Sequence, residues 1–301
     1  MKYEDGVLHL HQSDLCNLRM CPEQTRLKLT GEYFDPSGDS AMIGTQTHSF
    51  IEFCLFKRKN ENIWPEPEAL QQKVDELQVE WAQMWEDNQI WQHPHQIESM
   101  EQGQAFIEQA CLNWWANCRP AFDDLDPTDW LIEHDFDYHL GWVGSDCECG
   151  ECDRTEVRLR GQIDFFASAC INDWKTSKAA SGYNLWKLER YDIQSYVYAW
   201  AIQQELGFIP NFIYHHMARG TDEYKFNLVE ATQANIDAMK QEIMSWAQTI
   251  VTMGTEQEWP KGPADWWCSS RWCSHHARGL CVGSVNQIFP EDAVNLTRLM
   301  K

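Results

Sequence analysis

Hydrophobic positions recur with two different periods along this chain, and the period predicts which segments are helices and which are strands. A short helix is expected near the start, within residues 8–30. Apolar residues at helical spacing fill five further segments, 41–58, 65–88, 98–118, 184–205 and 231–252. Strand-like segments cover residues 129–140, 155–169, 211–217 and 223–229. The chain is therefore expected to combine helices with a sheet.

The order of these elements favours an α/β or α+β fold, with helices packed against a central sheet. Residues 129–140 and 155–169 are predicted to pair as a hairpin, and 211–217 with 223–229 as a second pair. The two long helical patterns between 65 and 118 are expected to form an insertion that covers the core. At 301 residues and 43% hydrophobic content, the chain can form one large domain or two small ones.

Residues 158–198 carry the most informative set of polar side chains. Asp164 lies in one predicted strand, and the next carries Asp173 and Lys175, which share a face because their spacing is two. Gln194 and Tyr198 follow one turn apart on a predicted helix. Two carboxylates and an ammonium group in one cleft suit a divalent cation and a scissile phosphate.

A histidine far upstream is a candidate for the same site. His48 and Glu52 are four residues apart on a predicted helix that also contains Gly44, so both side chains lie on one face. An imidazole ligand would favour Mn²⁺ over Mg²⁺. The alternative to a catalytic site is that the Asp-x-Lys motif arises by chance and that Glu52 only supports His48. The ordered set of motifs favours a catalytic site.

Together these motifs resemble the PD-(D/E)XK nuclease superfamily in its RecB-like branch, and especially its phage and CRISPR-adaptation exonucleases. The likeness extends from Ser13 to the terminal cysteines. It implies a restriction-endonuclease-like core sheet flanked by helices, with a helical insertion and a cysteine-clasped subdomain of the two chain ends. The implied metal ligands are His48, Asp164 and Asp173. The implied catalytic residues are Asp164, Asp173, Lys175, Gln194 and Tyr198.

The resemblance also implies a domain organisation and a function. We expect one nuclease domain over 1–301, with the insertion at about 60–125, the catalytic core at 130–230, and the clasp at 1–30 plus 255–285. The expected function is Mg²⁺- or Mn²⁺-dependent DNA exonuclease activity at DNA ends or on single strands, in phage or prokaryotic recombination, replication or repair. The alternatives are a non-catalytic binding subunit with a nuclease fold and a zinc or iron–sulfur regulatory protein.

Several of the twelve cysteines are clustered, which favours metal ligation over packing. The resemblance implies that Cys21, Cys268, Cys273 and Cys281 hold a [4Fe–4S] cluster, with Cys16 as the alternative to Cys21. The gaps between the last three are four and seven residues, wider than is usual in the family. Zinc is therefore the alternative metal. In that case His275 or His276 could replace a thiolate.

Three further cysteines lie outside the resemblance. Cys147, Cys149 and Cys152 fall at the predicted tip of the hairpin. They are candidates for an additional zinc site completed by Asp146, Asp153 or a distant residue. The alternative is an acidic loop with incidental thiols.

The net charge of −22 argues against a chain that coats nucleic acid through its overall charge. DNA contact is therefore expected in a narrow local groove. Basic residues close to the candidate site in sequence are Arg154, Arg158, Arg160, Lys175, Lys178, Lys187 and Arg190. A homo-oligomer or a recombination or replication protein is a further expected partner.

The expected location is the cytoplasm, or the host cytoplasm if a phage encodes the chain. No apolar run reaches the roughly 18 residues of a membrane span, so no membrane partner is expected. The N-terminal residues also lack the basic-then-apolar pattern of a signal peptide.

Overall fold

The computed structural model describes residues 1–30, 38–87, 97–144, 154–178, 185–256, 258–261 and 273. The α-helices in these residues are α1 (Gln12–Met20), α2 (Pro22–Leu29), α3 (Asp39–Glu61), α4 (Pro67–Glu86), α5 (Met100–Asn113), α6 (Leu185–Leu206) and α7 (Gln233–Met253). The strands are β1 (Lys2–Glu4), β2 (Val7–His11), β3 (Leu131–Gly144), β4 (Arg154–Ala167), β5 (Cys170–Ser177), β6 (Asn211–Ala218) and β7 (Tyr224–Glu230). They form one mixed sheet, as the expected α/β fold requires.

The sheet divides at the middle of β4. One side of β4 pairs with β3 in antiparallel register. On its other side, parallel β2 pairs with it as far as Arg160, and antiparallel β5 pairs with it from Phe165 onward. Strands β6 and β7 extend the sheet beyond β5, and β1 extends it beyond β2. The β4 residues between these two partners include Asp164, so the division places this carboxylate where β2 and β5 separate.

Each face of the sheet is covered by its own hydrophobic cluster. One cluster combines β2 and β4 residues with α6 and α7, and includes Leu159, Ile163, Val197 and Ile243. The other is formed by α3, α4 and α5 against β5 and the far end of β4, and contains Phe165. Helix α3 is thereby held against the strand that carries Asp173 and Lys175, and this contact brings distant parts of the sequence together.

The predicted helices and strands are present with small shifts in their ends, except at the beginning of the chain. There the prediction of a helix entry from residue 8 is wrong, because Val7–His11 forms β2 and α1 begins only at Gln12. The second helix begins at Pro22, a position that suits proline because the first helical N–H needs no intrahelical acceptor. Helices α4 and α5 occupy the predicted insertion. The division into insertion, core and clasp remains a prediction.

No helix in the described ranges is long and apolar enough to cross a membrane.

A buried histidine in β6 makes the stability of the fold depend on pH. The His215 ring is 4% exposed. Its Nε2 lies 2.9 Å from Asn172 Oδ1, and its Nδ1 lies 2.8 Å from the Tyr224 hydroxyl. A neutral ring satisfies both contacts when Nε2–H donates to the amide oxygen and the phenol donates to Nδ1. Burial, followed by the nearby His216, lowers the pKa of His215 to about 3.

We expect His215 to destabilise the protein as the pH falls below its unfolded-state pKa of about 6.5. Between that value and about 3, the unfolded chain binds a proton that the folded chain excludes. The free energy of unfolding then falls by up to about 1.4 kcal/mol per pH unit. Urea unfolding at pH 7, 6 and 5 of wild type and His215→Gln measures the effect. His215→Gln is expected to be less stable than wild type at pH 7 but to lose less stability on acidification. If the free energies of unfolding of the two proteins fell equally with pH, His215 would not be the source of the pH dependence.

Candidate functional site

A cleft of about 660 Å³ opens between the N-terminal half of α3, the β3–β4 hairpin and β5. Its lining combines polar side chains with the carboxylates and the lysine of the predicted site. The lining residues are Ser40, Ala41, Gly44, Thr45, His48, Ser49, Glu52, Glu133, Gln162, Asp164, Trp174, Lys175 and Thr176. Three separate sequence segments therefore meet in this cleft, as the sequence analysis predicts for His48, Asp164 and Lys175.

Helix α3 presents His48 to the cleft in a defined orientation. His48 Nε2 lies 2.9 Å from the carbonyl oxygen of Trp174 in β5. That oxygen can only accept a hydrogen bond, so Nε2 carries a proton. The other ring nitrogen, Nδ1, lies 3.4 Å from Asp164 Oδ2. A metal-binding histidine typically donates its second N–H to a carbonyl or carboxylate in this way, which leaves the first nitrogen for the cation.

Glu133 lies across the hairpin from Asp164. The β3–β4 register pairs Ile132 with Phe165 and His134 with Ile163, so the two carboxylate residues are opposite one another. Asp164 Oδ2 also accepts a hydrogen bond of 3.2 Å from the Trp174 backbone N–H, which ties the carboxylate to β5.

His48, Glu133 and Asp164 form a group that can hold a metal ion. Each offers one ligand atom, and these atoms all lie within 4.8 Å of one another. Burial raises the pKa of Glu133 to about 8, and the nearby carboxylates of Asp164 and Glu52 add to the shift. An imidazole nitrogen beside carboxylate oxygens suits a divalent cation such as Mn²⁺ or Mg²⁺. The residues therefore fit the metal that the resemblance implies.

Asp173 lies behind the cleft and is only 1% exposed. Gln194 Nε2 donates a hydrogen bond of 2.6 Å to its Oδ1, and Lys175 Nζ lies 2.7 Å from its Oδ2. Burial raises the pKa of Asp173, and the adjacent Lys175 ammonium opposes that shift. Asp173 thus orients Lys175 toward the cleft. Its predicted role as a metal ligand remains a prediction.

Gln194 and Tyr198 of α6 are buried beneath the cleft rather than projecting into it. They are 3% and 5% exposed, respectively. The Tyr198 ring packs edge-on against Phe136 at a centroid distance of 5.9 Å. Gln194 acts through its bond to Asp173. These contacts suit positioning roles, and the catalytic roles that the resemblance implies for Gln194 and Tyr198 remain a prediction.

Much of the described positive charge of β4 is engaged in ion pairs. Arg158 contacts both Asp137 and Glu156, and Arg160 contacts Asp137. Arg154 and Lys178 are exposed. The side chains of Lys187 and Arg190 lie outside the part of the chain that the structure describes. A basic groove for one DNA strand therefore remains a prediction.

Only part of the predicted cysteine sites falls within the described residues. Cys21 and Cys273 are both half-buried, whereas Cys16 is 7% exposed. The remaining candidates, Cys147, Cys149, Cys152, Cys268, Cys281, His275 and His276, lie outside the described residues, as do Asp146 and Asp153.

The segment after α7 nevertheless packs beside Cys21. The Trp259 backbone N–H donates a hydrogen bond of 2.7 Å to Glu23 Oε2, and the Glu23 N–H donates one of 3.2 Å to the Pro260 carbonyl. Residues 259–260 are therefore in contact with the start of α2, which begins directly after Cys21.

Glu133 is a carboxylate of the cleft that the sequence motifs do not identify. Strict alternation along β3 would place it on the same face as Leu131, which packs against the cluster beneath α6 and α7. Instead Glu133 has a φ of +47° and lines the cleft. It therefore lies on the same side of the sheet as its neighbour Ile132. The one available signal was an acidic residue in the strand predicted to pair with the strand of Asp164.

Known proteins resemble this chain in sequence and in fold. The sequence model of the PD-(D/E)XK nuclease superfamily matches residues 10–278. A crystal structure of a "putative exonuclease" from Eubacterium rectale superposes with a TM-score of 0.53 at 11% identity, over 95% of this chain and 92% of that chain. At this identity the likeness concerns the fold alone. The crystal structure of SSO0001 has a TM-score of only 0.36 at 11% identity, over 85% of this chain and 80% of that chain. None of the curated proteins matches the sequence.

Proposed function

The chain belongs to the PD-(D/E)XK nuclease superfamily, and from this premise we propose that it is a Mg²⁺- or Mn²⁺-dependent DNA exonuclease. The observation that carries the proposal is the convergence of His48, Glu133 and Asp164 on one cleft that Lys175 also lines. Its substrate is DNA, attacked at ends or in single strands, and its role lies in phage or prokaryotic recombination, replication or repair. A partner in those processes, or a second copy of the chain, would assist it there.

The residues of the cleft have distinct tasks in phosphodiester hydrolysis. A divalent cation, when bound, lowers the pKa of a water molecule and polarises the phosphate. His48 and Asp164 would hold it, with Asp173 the additional ligand that the family resemblance implies. Lys175 presents its ammonium group to the cleft, where it can stabilise negative charge that develops on the phosphate. Gln194 keeps Asp173 and hence Lys175 in place.

The activity test uses end-labelled single-stranded DNA and end-labelled linear double-stranded DNA. Closed circular DNA, which has no ends, is the third substrate. We expect the wild-type chain to release short products from labelled ends in Mn²⁺ and none in EDTA. Asp164→Asn is expected to lower this rate by at least about 100-fold, because it removes a charge from the cation-binding group.

Each unfavourable result has a separate meaning. Equal activity of wild type and Asp164→Asn would contradict the assignment of this cleft as the active site. Cleavage of closed circles as fast as of linear DNA would replace exonuclease by endonuclease activity. DNA binding without cleavage would favour the non-catalytic subunit.

For the cysteines we propose a structural [4Fe–4S] cluster held by Cys21, Cys268, Cys273 and Cys281. Support comes from the packing of residues 259–260 against α2 next to Cys21, since a cluster there would join the two ends of the chain. Zinc is the alternative metal at these thiolates, and Cys147, Cys149 and Cys152 are proposed for an additional zinc ion.

The metal at the cysteines can be identified from the anaerobically purified protein. We expect a brown protein with the broad visible absorption of an iron–sulfur cluster, and loss of this absorption in Cys21→Ser. Metal analysis accompanies the spectrum. A colourless protein with stoichiometric zinc would overturn the cluster in favour of zinc.

A further inference from the structure

Glu133 is held in the cleft by an unusual backbone conformation. Its φ of +47° lies in the left-handed region, which is unfavourable for a residue with a side chain. Ile132 packs with the cluster beneath α3, and Glu133 lines the cleft on that same side of the sheet. Two consecutive residues thus face α3, where a regular strand would send one of them to the opposite face.

The Glu133 carboxylate makes no hydrogen bond or ion pair with any other residue that the structure describes. Its surroundings are nevertheless mostly acidic, since Asp164, Glu52, Asp135 and Asp173 all raise its pKa. Lys175, the lysine that lines the cleft, lies with its ammonium group 2.7 Å from Asp173. A half-buried carboxylate in this setting is best compensated by a cation that reaches it from the cleft.

The two aspartates that the family resemblance implies as metal ligands are not equally accessible to a cation in the cleft. Asp164 faces the cleft, whereas Asp173 is 1% exposed, accepts a hydrogen bond from Gln194 and forms an ion pair with Lys175. Glu133, by contrast, offers an oxygen within 4.8 Å of the ligand atoms of His48 and Asp164. Its strand carries none of the motif residues, and only the hairpin register brings it to the site.

We propose that Glu133 is a direct ligand of the divalent cation and completes a three-residue set with His48 and Asp164. This inference builds on the proposed function, because it assigns a further ligand to the same metal site. The set contains one imidazole and two carboxylates, so it favours Mn²⁺ over Mg²⁺.

Calorimetric titration of the metal-free full-length protein with Mn²⁺ tests the ligand directly, in the absence of DNA. We expect Glu133→Gln to weaken Mn²⁺ binding by at least about 10-fold, as loss of an important contact at a metal site does. Asp164→Asn serves as the positive control. Glu52→Gln is the matched control, because Glu52 also lines the cleft but lies outside the three-residue set. Its Mn²⁺ affinity is expected to stay close to that of wild type.

A second readout separates ligation from general electrostatics. Water-proton relaxation of the Mn²⁺ complex should reveal an additional bound water in Glu133→Gln, because water takes the vacated position, but not in Glu52→Gln. If Glu133→Gln fails to fold, Glu133→Asp is measured in its place and should show weakened binding. Wild-type affinity and hydration in the folded variant would overturn the proposal, as would equal weakening by Glu52→Gln.

The failure of this inference can be distinguished from the failure of the proposed function. If the protein is an active nuclease but its Glu133→Gln variant binds Mn²⁺ like wild type, the assignment of Glu133 as a ligand is wrong and the proposed function stands. If the wild-type protein binds Mn²⁺ through Glu133 but degrades no DNA, the proposed function is wrong and the assignment of Glu133 as a ligand stands.

Discussion

Replacement of Lys175 by methionine is expected to lower the single-turnover rate of DNA hydrolysis by about 100- to 1,000-fold, the range for loss of one preorganised electrostatic group. Lys175 lines the cleft, and Asp173 fixes its ammonium group at 2.7 Å. Methionine keeps a long unbranched side chain but removes the positive charge. Because Lys175 is not in the set of metal ligands, Mn²⁺ binding measured by calorimetry should persist.

Lys178→Met provides the matched control for this loss of charge. Lys178 follows β5 directly and is exposed. Its replacement changes the net charge of the protein by the same amount, so an effect of overall charge on DNA binding would appear in both variants. We expect Lys178→Met to keep the single-turnover rate at saturating DNA. Full activity in Lys175→Met, or an equal loss in both variants, would contradict the role assigned to Lys175.

Most elements of the fold could be predicted because their hydrophobic period extends over many residues. Helices α3 to α7 and the β3–β4 and β6–β7 pairs are of this kind, and each pair is close in sequence. Strand β2 could not be found in this way. It has five residues, and its partner β4 lies almost 150 residues later in parallel register. A short segment whose pairing is this distant carries too little local signal to be separated from the start of α1.

The motifs predicted three of the residues that meet in the cleft, His48, Asp164 and Lys175, since residue type and order are visible in a sequence. Burial is not visible there. The resemblance implies catalytic roles for Gln194 and Tyr198, yet both side chains are buried in the structure. Asp173 likewise turns toward Gln194 and Lys175.

Glu133 escaped prediction for a different reason, namely the interrupted alternation of its strand. A one-residue irregularity reverses which face every following side chain occupies. On β4 the same change occurs where Asp164 lines the cleft and the next residue, Phe165, also packs on the α3 side. The irregularities of the two strands coincide, so the paired residues Glu133 and Asp164 both face the α3 side. Strict alternation from Leu131 and Phe166 would place both of them on the opposite face. Sequence periodicity assumes regularity and therefore misses this arrangement.

Replacement of Gly103 by alanine is expected to reduce the free energy of unfolding by about 1–3 kcal/mol, the usual cost of overpacking a core. A methyl group at this position in α5 would overlap the Trp81 ring of α4. That ring cannot easily move, since it is fully buried and its Nε1–H donates a hydrogen bond of 3.0 Å to the Met100 carbonyl. Thermal unfolding in the presence of EDTA measures the loss as a lower melting temperature.

Gly44→Ala is the control, because it makes the same chemical change inside another helix. A methyl group at Gly44 in α3 would lie 3.4 Å from Thr176 Oγ1, an ordinary contact. Replacing a glycine in a helix interior by alanine then stabilises the protein by about 0.5–1 kcal/mol, because the unfolded chain loses conformational freedom. The two variants should therefore shift the melting temperature in opposite directions. If Gly103→Ala were as stable as wild type, α4 and α5 could not be packed through Trp81 as they are in this structure, and the way the insertion covers α3 would have to be revised.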